Sequence, residues 1–232
     1  MAVSTGAAPA VAALPMAKRR GIDTVYIESV SRVHGPSLSG RILQVLRAAR
    51  LFTQHPRWAN SRWKPHRSVF ETFRRTERAG SERPSLFVTL GTIEGFRFDS
   101  MIDAVLATGL ADERTVWQLG YSTGRKDLPG KVFEQVSAAD FDSYASAADV
   151  VVSHAGVGSL LGLLDLGIAP VLVVRRKARQ EHVDDHQAQI AELADSRGVA
   201  VSVEVEDLDA EVLRRASCYG VEDVRSLGGN VS

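Results

Sequence analysis

The chain has 232 residues, 44% of them hydrophobic, which suits one large domain or a domain with an appendage. Its one cysteine, Cys218, excludes an intrachain disulfide and is expected in a reducing compartment. The 28 Lys/Arg balance the 28 Asp/Glu overall, but Arg41 to Arg83 holds eleven Lys/Arg against three Glu, and Pro84 to the end holds thirteen against twenty-three Asp/Glu. No apolar run approaches the roughly 20 residues of a membrane-spanning helix.

In chain order, the first twenty residues are small and Ala-rich, with Lys18, Arg19 and Arg20 after the apolar patch. That is the wrong order for a secretory signal, and a disordered leader over 1–20 is expected. DTVYIES (23–29) predicts a strand ending near Glu28. LSGRILQVLRAARLF (38–52) predicts a helix with Leu38, Ile42, Val45 and Leu46 inside. One strand and one helix cannot enclose a core, so residues 21–83 are expected to lie on the second part or on another chain. Trp58, Trp63, Phe70 and Phe73 are interleaved with basic residues in a linker that closes this segment.

From about Ser85, short apolar runs alternate with amphipathic ones. Strands are predicted at SLFVTL (85–90), TVWQL (115–119), KVFEQV (131–136), DVVVS (149–153), PVLVV (170–174) and VAVSV (199–203). Helices are predicted after Asp99, around 141–147, over 157–166, over 184–197 and after Asp209. The runs at Val150 and Val171 are apolar throughout, as when both faces of a strand are covered. The pattern argues for an α/β doubly wound parallel sheet over 84–218, followed by a tail at 219–232.

In such a sheet, ligands bind beyond the carboxyl ends of the strands, where SHAGVGS (153–159) lies. A helix opening near Val157 offers unpaired N–H groups and the positive end of its dipole, which suit a phosphate. Gly156 and Gly158 lack the Cβ atoms that would hold a phosphate off the backbone of His154, Ala155 and Ser159. Ser159 can also donate its hydroxyl and His154 an imidazole N–H. The same two glycines would equally permit a tight strand-to-helix connection with no ligand. A Walker Lys-Ser/Thr and the dinucleotide fingerprint are both missing.

VTLGTIEGF (88–96) is a second such turn, with Gly91 and Thr92 at its bend. RQEHVDDHQ (179–187) should open at the same edge, bringing Glu181, His182, Asp184, Asp185, His186 and Gln187. Four of these, the histidines and aspartates, are metal-ligand types. A helix start recruits Asp as a cap, however, and no further Cys/His cluster stands by, so no metal is assigned. The alternative is that Glu181 and Gln187 hold the hydroxyls of a ribose or sugar.

VTLGT, VVVSHAGVGSLL and EHVDDHQ, in this order, resemble the C-terminal donor-binding domain of MurG-type glycosyltransferases, family 28 with the GT-B fold. The likeness spans about Ser85 to Ser217. It is greatest to the catalytic subunit of the two-subunit enzyme that adds the second GlcNAc to dolichol-linked sugar, and to its bacterial exopolysaccharide counterparts. YIESVSRVHGPSLSGRIL with FTQHP resembles the last segment of the membrane-recruiting partner subunit of that pair.

The resemblance implies the Rossmann-like half of a GT-B fold binding a UDP-sugar, preceded by an incomplete N-terminal segment. Gly91, Thr92, Gly156, Gly158 and Ser159 would hold diphosphate, His154 would point into the cleft, and Glu181 to Gln187 would contact sugar and ribose. Gly162 stands where the family has a ribose-binding acid, with Asp165 about one turn on. The implied reaction is an inverting transfer to a polyprenyl-linked acceptor at the cytoplasmic membrane face. UDP-sugar would be the substrate, with neither cofactor nor metal implied. The general base is unassigned; His34 is the one histidine of the stretch YIESVSRVHGPSLSGRIL.

The basic, aromatic stretch from Arg41 to Arg83 would then meet lipid, or serve as a solvated linker. A partner protein on the acceptor side is implied, and no nucleic acid. Two other readings stand beside the transferase: a UDP-sugar epimerase of the same fold, and a non-catalytic module that binds nucleotide or a partner.

Overall fold

Residues 1–20, expected as a disordered leader, form the strand β1 (Ala2–Ser4) and the helix α1 (Pro9–Arg19) in the computed structural model, which describes residues 1–6, 8–92, 95–176 and 186–225, His186 by its backbone alone. Pro9 suits the first helical turn, where an N–H would have no partner. Ala10 and Leu14, one turn apart, are buried. Pro15 masks the helix in the sequence, because proline ordinarily ends a helical pattern, yet here it lies inside one.

β2 (Thr24–Ile27), α2 (Leu38–Val45), β3 (Arg50–Thr53) and β4 (Trp63–Pro65) follow, and the strands pair in parallel in the order β1-β2-β3-β4. Residues 1–71 thus have four strands and two α-helices among the described residues, β1 and α1 lying in the expected leader, where one strand and one helix were expected in 21–83. Its core joins Ala10, Leu14, Tyr26, Leu43, Ala48, Leu51 and Trp63.

The setting of α2 reverses the expected one. Glu28 is buried at the end of β2, where it accepts from Tyr26 Oη and Ser29 N at 3.1 Å, Ser37 N at 2.8 Å and Ser37 Oγ at 2.9 Å. Four donors satisfy a carboxylate that would otherwise be costly to bury. Ser37 also caps α2 by accepting from Gly40 N at 3.0 Å, and these bonds fix the rotation of the helix. Gly40 and Leu43 therefore face the sheet, and a Cβ on Gly40 would lie 2.5 Å from Glu28 Oε2.

Leu38, Ile42, Val45 and Leu46 point to solvent, Leu38 at 74% and Val45 at 81% exposure. The aromatics expected at a surface linker are inside: Trp63, Phe70 and Phe73 are buried, and Trp58 packs on the core with Nε1 donating to Arg32 O at 3.0 Å.

The chain divides into two units, 1–71 and 72–232, ahead of the expected boundary at 83/84. The second unit begins with β5 (Phe73–Glu77) and continues with β6 (Leu86–Thr89), α3 (Asp99–Ala107), β7 (Val116–Gln118), β8 (Lys131–Phe133), α4 (Ala138–Ala147), β9 (Val150–His154) and α5 (Val157–Asp165). Then come β10 (Val171–Val173), α6 (His186–Ser196), β11 (Val201–Val203), α7 (Ala210–Ser217) and β12 (Tyr219–Asp223).

The six parallel strands run β11-β10-β9-β6-β7-β8, so the order reverses between β6 and β9. Alternate residues of these strands serve two cores: Leu86, Val88, Val150 and Val152 pack with Met101, Ile102 and Leu213 on one face, and Phe87 and Val151 pack with Ala145 and Leu163 on the other. Covering on both faces is the reason the strands read as unbroken apolar runs.

Residues 219–223, expected in a tail, pair antiparallel with β5, which was expected in a linker. Arg74 lies opposite Glu222 at 2.5 Å, and the Arg75 guanidinium lies 3.3 Å over the Tyr219 ring. The alternation in this ribbon is largely of charge, which gives no apolar period to read.

Candidate functional site

β6 and β9 are neighbours in the sheet, with Thr89 beside Ser153, so the chain leaves both strands side by side at their carboxyl ends. This is the point where the strand order reverses, the place at which open α/β sheets bind ligands. Gly91 turns the chain after β6 with φ +75°, a conformation that L side chains rarely adopt.

The imidazole of His154 fills the space between two glycines. A Cβ on Gly91 would lie 2.4 Å from its Cε1, and a Cβ on Gly156 would lie 2.4 Å from its Nε2. Gly156 thus makes room first for the histidine ring, where the sequence suggested room for a phosphate. The ring is correspondingly only 6% exposed, a wedge between two turns more than a donor reaching into a cleft.

α5 opens with no side-chain cap, and its first helical bond is Leu160 N to Gly156 O at 2.9 Å. The amides of Val157, Gly158 and Ser159 precede that bond. Gly158 is exposed, and a Cβ there would meet nothing within 4 Å among the described residues, none of which blocks the approach to this helix start. Thr92 is exposed and Ser159 half-buried at the same edge, whereas the Ala155 side chain is buried.

The loops after β7 and β8 also reach this edge, and the sequence reading missed them. Gly120, φ +56°, lies so close to the first turn that a Cβ would come 1.8 Å from Gly91 O. Its N–H donates to Glu134 O at 2.8 Å. Gly120, Tyr121, Thr123, Glu134 and Gln135 line a hollow of about 480 Å³. GYSTG (120–124) was the available signal, a glycine turn directly after a strand like the other two.

Arg175, two residues beyond β10, is buried and holds the first turn at both ends. Its Nη2 donates to Leu90 O at 2.5 Å and its Nη1 to Phe96 O at 3.3 Å, and its guanidinium lies 4.8 Å over the Phe98 ring. Ser122 Oγ accepts from Phe98 N at 2.7 Å and ties this turn to the loop after β7. In that loop Arg125 bonds Asp103 and Asp127, and its hydrogen bonds hold the Asp127 carboxyl down to about 2.

Of the third expected stretch, Glu181, His182, Asp184 and Asp185 lie outside the described residues, and His186 is the first residue of α6. Gln187 is half-buried, and its Oε1 is enclosed with no hydrogen-bond partner among the described residues. Gly162 is exposed on α5. Asp165 pairs with Arg225 at 3.1 Å, and at about 1.5 Å per residue it lies roughly 12 Å along the axis from Val157, away from the helix start. His34 is exposed in the turn ahead of α2, in the N-terminal unit. Among the described residues no group of three His, Cys, Asp or Glu side chains is placed to hold a metal.

The second unit is therefore a doubly wound α/β domain with three glycine turns and, among the described residues, an open helix start at its switch point. A family model for the glycosyltransferase family 28 C-terminal domain matches residues 87–217, more than half of the chain, and the chain belongs to that family.

It is similar to the UDP-N-acetylglucosamine transferase subunit ALG13 of Cryptococcus neoformans var. neoformans serotype D, in strains JEC21 and B-3501A, with 36% identity over 74 residues. That stretch is 32% of this chain and 36% of the relative, so the chain spans about a third of the length of the curated relatives it matches.

Among solved structures, Acinetobacter baumannii MurG is similar in fold, with a TM-score of 0.54 and 16% identity over 92% of this chain and 62% of that one. SnogD of Streptomyces nogalater is similar with a TM-score of 0.51 and 19% identity over 89% and 65%. The second unit thus has the α/β fold with the parallel sheet expected from its sequence, and the parallel sheet of the N-terminal unit was not expected.

Proposed function

We propose that the second unit binds a UDP-sugar at this edge and that the chain, with an acceptor-side partner chain, transfers GlcNAc or another hexose to a polyprenyl-linked acceptor at the cytoplasmic membrane face. One observation carries the reading: Gly91, Gly120, His154 and Gly156 pack against one another beside a helix start that no described residue caps or covers. The name of the similar ALG13 subunit supports the choice of UDP-GlcNAc.

The α5 amides and dipole would take the diphosphate. The hollow beside Gly120 would take the ribose and base, a role that Gly162 and the paired Asp165 do not fill. Gln187 would offer its enclosed amide to a hydroxyl. In the transfer, the acceptor oxygen bonds to the anomeric carbon with inversion as the bond from that carbon to the diphosphate oxygen breaks. The hydroxyl proton goes to a base, and UDP leaves with the electron pair, its charge met by the α5 N-terminus. The base is assigned to no residue of this chain.

Thermal stability measured with UDP, UMP, ADP and NAD tests the donor. UDP is expected to raise the melting temperature most, and no shift with any of the four would remove both the transferase and the epimerase readings. Product analysis with a purified membrane fraction separates transfer from epimerisation.

Gly156→Val is expected to weaken UDP binding by about tenfold or more, a loss of about 1.4 kcal/mol, by displacing the His154 ring. Gly158→Val should weaken it comparably with His154 left in place, because the added methyls would occupy the open approach. Calorimetric titration of the two variants reads this directly. Undiminished affinity in both would sink the diphosphate site.

A further inference from the structure

We propose that the N-terminal unit carries a binding site for a soluble organic polyphosphate, at the edge of its sheet opposite the one where such sheets take substrate. The inference goes beyond the donor site, which belongs to the other unit, and stands or falls without it.

Ala49 and Arg50 lead into β3, Ser61 and Arg62 lead into β4, and Lys18 and Gln44 lie in the last turns of α1 and α2. These segments meet at the amino ends of the strands and line a hollow of about 360 Å³. Open α/β sheets bind substrates beyond the carboxyl ends, here past Ile27 and Thr53, so the hollow is separate from the expected place of a substrate.

The size is that of a small-molecule pocket. Leu51 is buried, and Ala49 and Phe52 are half-buried, which gives the hollow an apolar lining. Lys18, Arg47, Arg62 and Lys64 are exposed around it, and among the described residues none of the four is paired with a carboxylate. Arg50 lines it too, but Asp23 at 3.6 Å offsets its charge.

The fold sets these cations in place. Asn60 Oδ1 accepts from Arg62 N at 2.8 Å and from Trp63 N at 3.0 Å, and Trp63 Nε1 donates to Gln44 Oε1 at 2.7 Å. Lys18 Nζ donates to the carbonyl of Arg47. Arg47 follows the end of α2 with φ +48°, the one positive φ of a non-glycine among the described residues. Glycine is the usual residue at such a place, because a side chain there is strained. Strain kept at an exposed residue that fills no core argues for a bound ligand.

Four unpaired cations around one small hollow match the charge of a di- or triphosphate, and the two guanidiniums can each fork onto phosphate oxygens. An acidic peptide would spread its charge along a strand at about 3.3 Å per residue, beyond so compact a hollow. The apolar lining leaves room for a ring or chain attached to the phosphates.

Calorimetric titration of the full chain with inorganic tripolyphosphate and with ATP is the test. Both are expected to bind, more weakly as salt is raised, and ATP more tightly for its ring system. Arg47→Gly should weaken both by about tenfold at a melting temperature no lower than that of the parent, since glycine relieves the strain while the charge is lost. The double variant Arg62→Gln, Lys64→Gln should weaken them at least as much, with the thermal response to UDP unchanged in both variants.

Failure to bind tripolyphosphate overturns the proposal, and so does binding that all three substitutions leave intact. It is equally overturned if the chain ignores both phosphates and instead holds phosphatidylglycerol vesicles or polyglutamate through these residues, which would assign the hollow to a membrane or to an acidic protein.

Discussion

Gly120→Ala is expected to destabilise the protein by about 2–5 kcal/mol and to abolish the stabilisation by UDP. Two costs add. The backbone at φ +56° is left-handed, which costs a side chain about 1–2 kcal/mol. The new Cβ would lie 1.8 Å from Gly91 O, a backbone atom that cannot step aside by changing rotamer, and overpacking of this sort costs about 1–3 kcal/mol. Relief requires moving the Gly91–Thr92 turn, and that turn in turn bounds the His154 ring. Urea unfolding reads the first effect and a thermal shift with UDP the second. A variant of native stability that still responds to UDP would show that the two loops move apart freely and that their close approach is not part of the site.

Arg175→Met is expected to have the next largest effect. The substitution keeps the apolar stem and removes the fork that bonds Leu90 O and Phe96 O, leaving two carbonyls at the ends of one turn without that donor. Stability should fall by about 2–3 kcal/mol, the usual cost when a charged donor is taken from buried acceptors. UDP affinity should fall with it, because the bond to Leu90 O is what stands between Gly91 and a looser turn. Arg175→Lys separates positioning from charge: one ammonium cannot reach both carbonyls as a planar fork does, so it should restore little of the affinity. Full rescue by lysine would mean that the positive charge alone matters.

The sheet of the second unit was legible because physics writes it twice, in apolar runs covered on both faces and in glycines directly after them. Leu86–Thr89 and Val150–His154 fell where the sequence put them, and so did the turns at Gly91 and Gly156. The glycine turn at Gly120 carried the same mark, two residues after the strand Val116–Gln118, and was passed over.

Arg175 was illegible for another reason. In VVRRKARQ it is one of four cations, and only carbonyls about 80 residues earlier in the chain decide that it turns inward while Arg176 pairs with Glu204. On α2, the apolar stripe was read correctly as a stripe and placed on the wrong side. A buried carboxylate and a capping serine set the rotation of the helix, and neither enters a count of apolar periods.

The β5–β12 ribbon has a consequence for synthesis. Arg74 and Glu222 are 148 residues apart in sequence, so β5 leaves the ribosome long before the strand that covers it. Until then it is an edge with unpaired amides, and its charged side chains, Arg74, Arg75 and Glu77, are what discourage a neighbouring nascent chain from pairing there first. Closure of the unit is therefore a late event, completed only when residues 219–223 emerge.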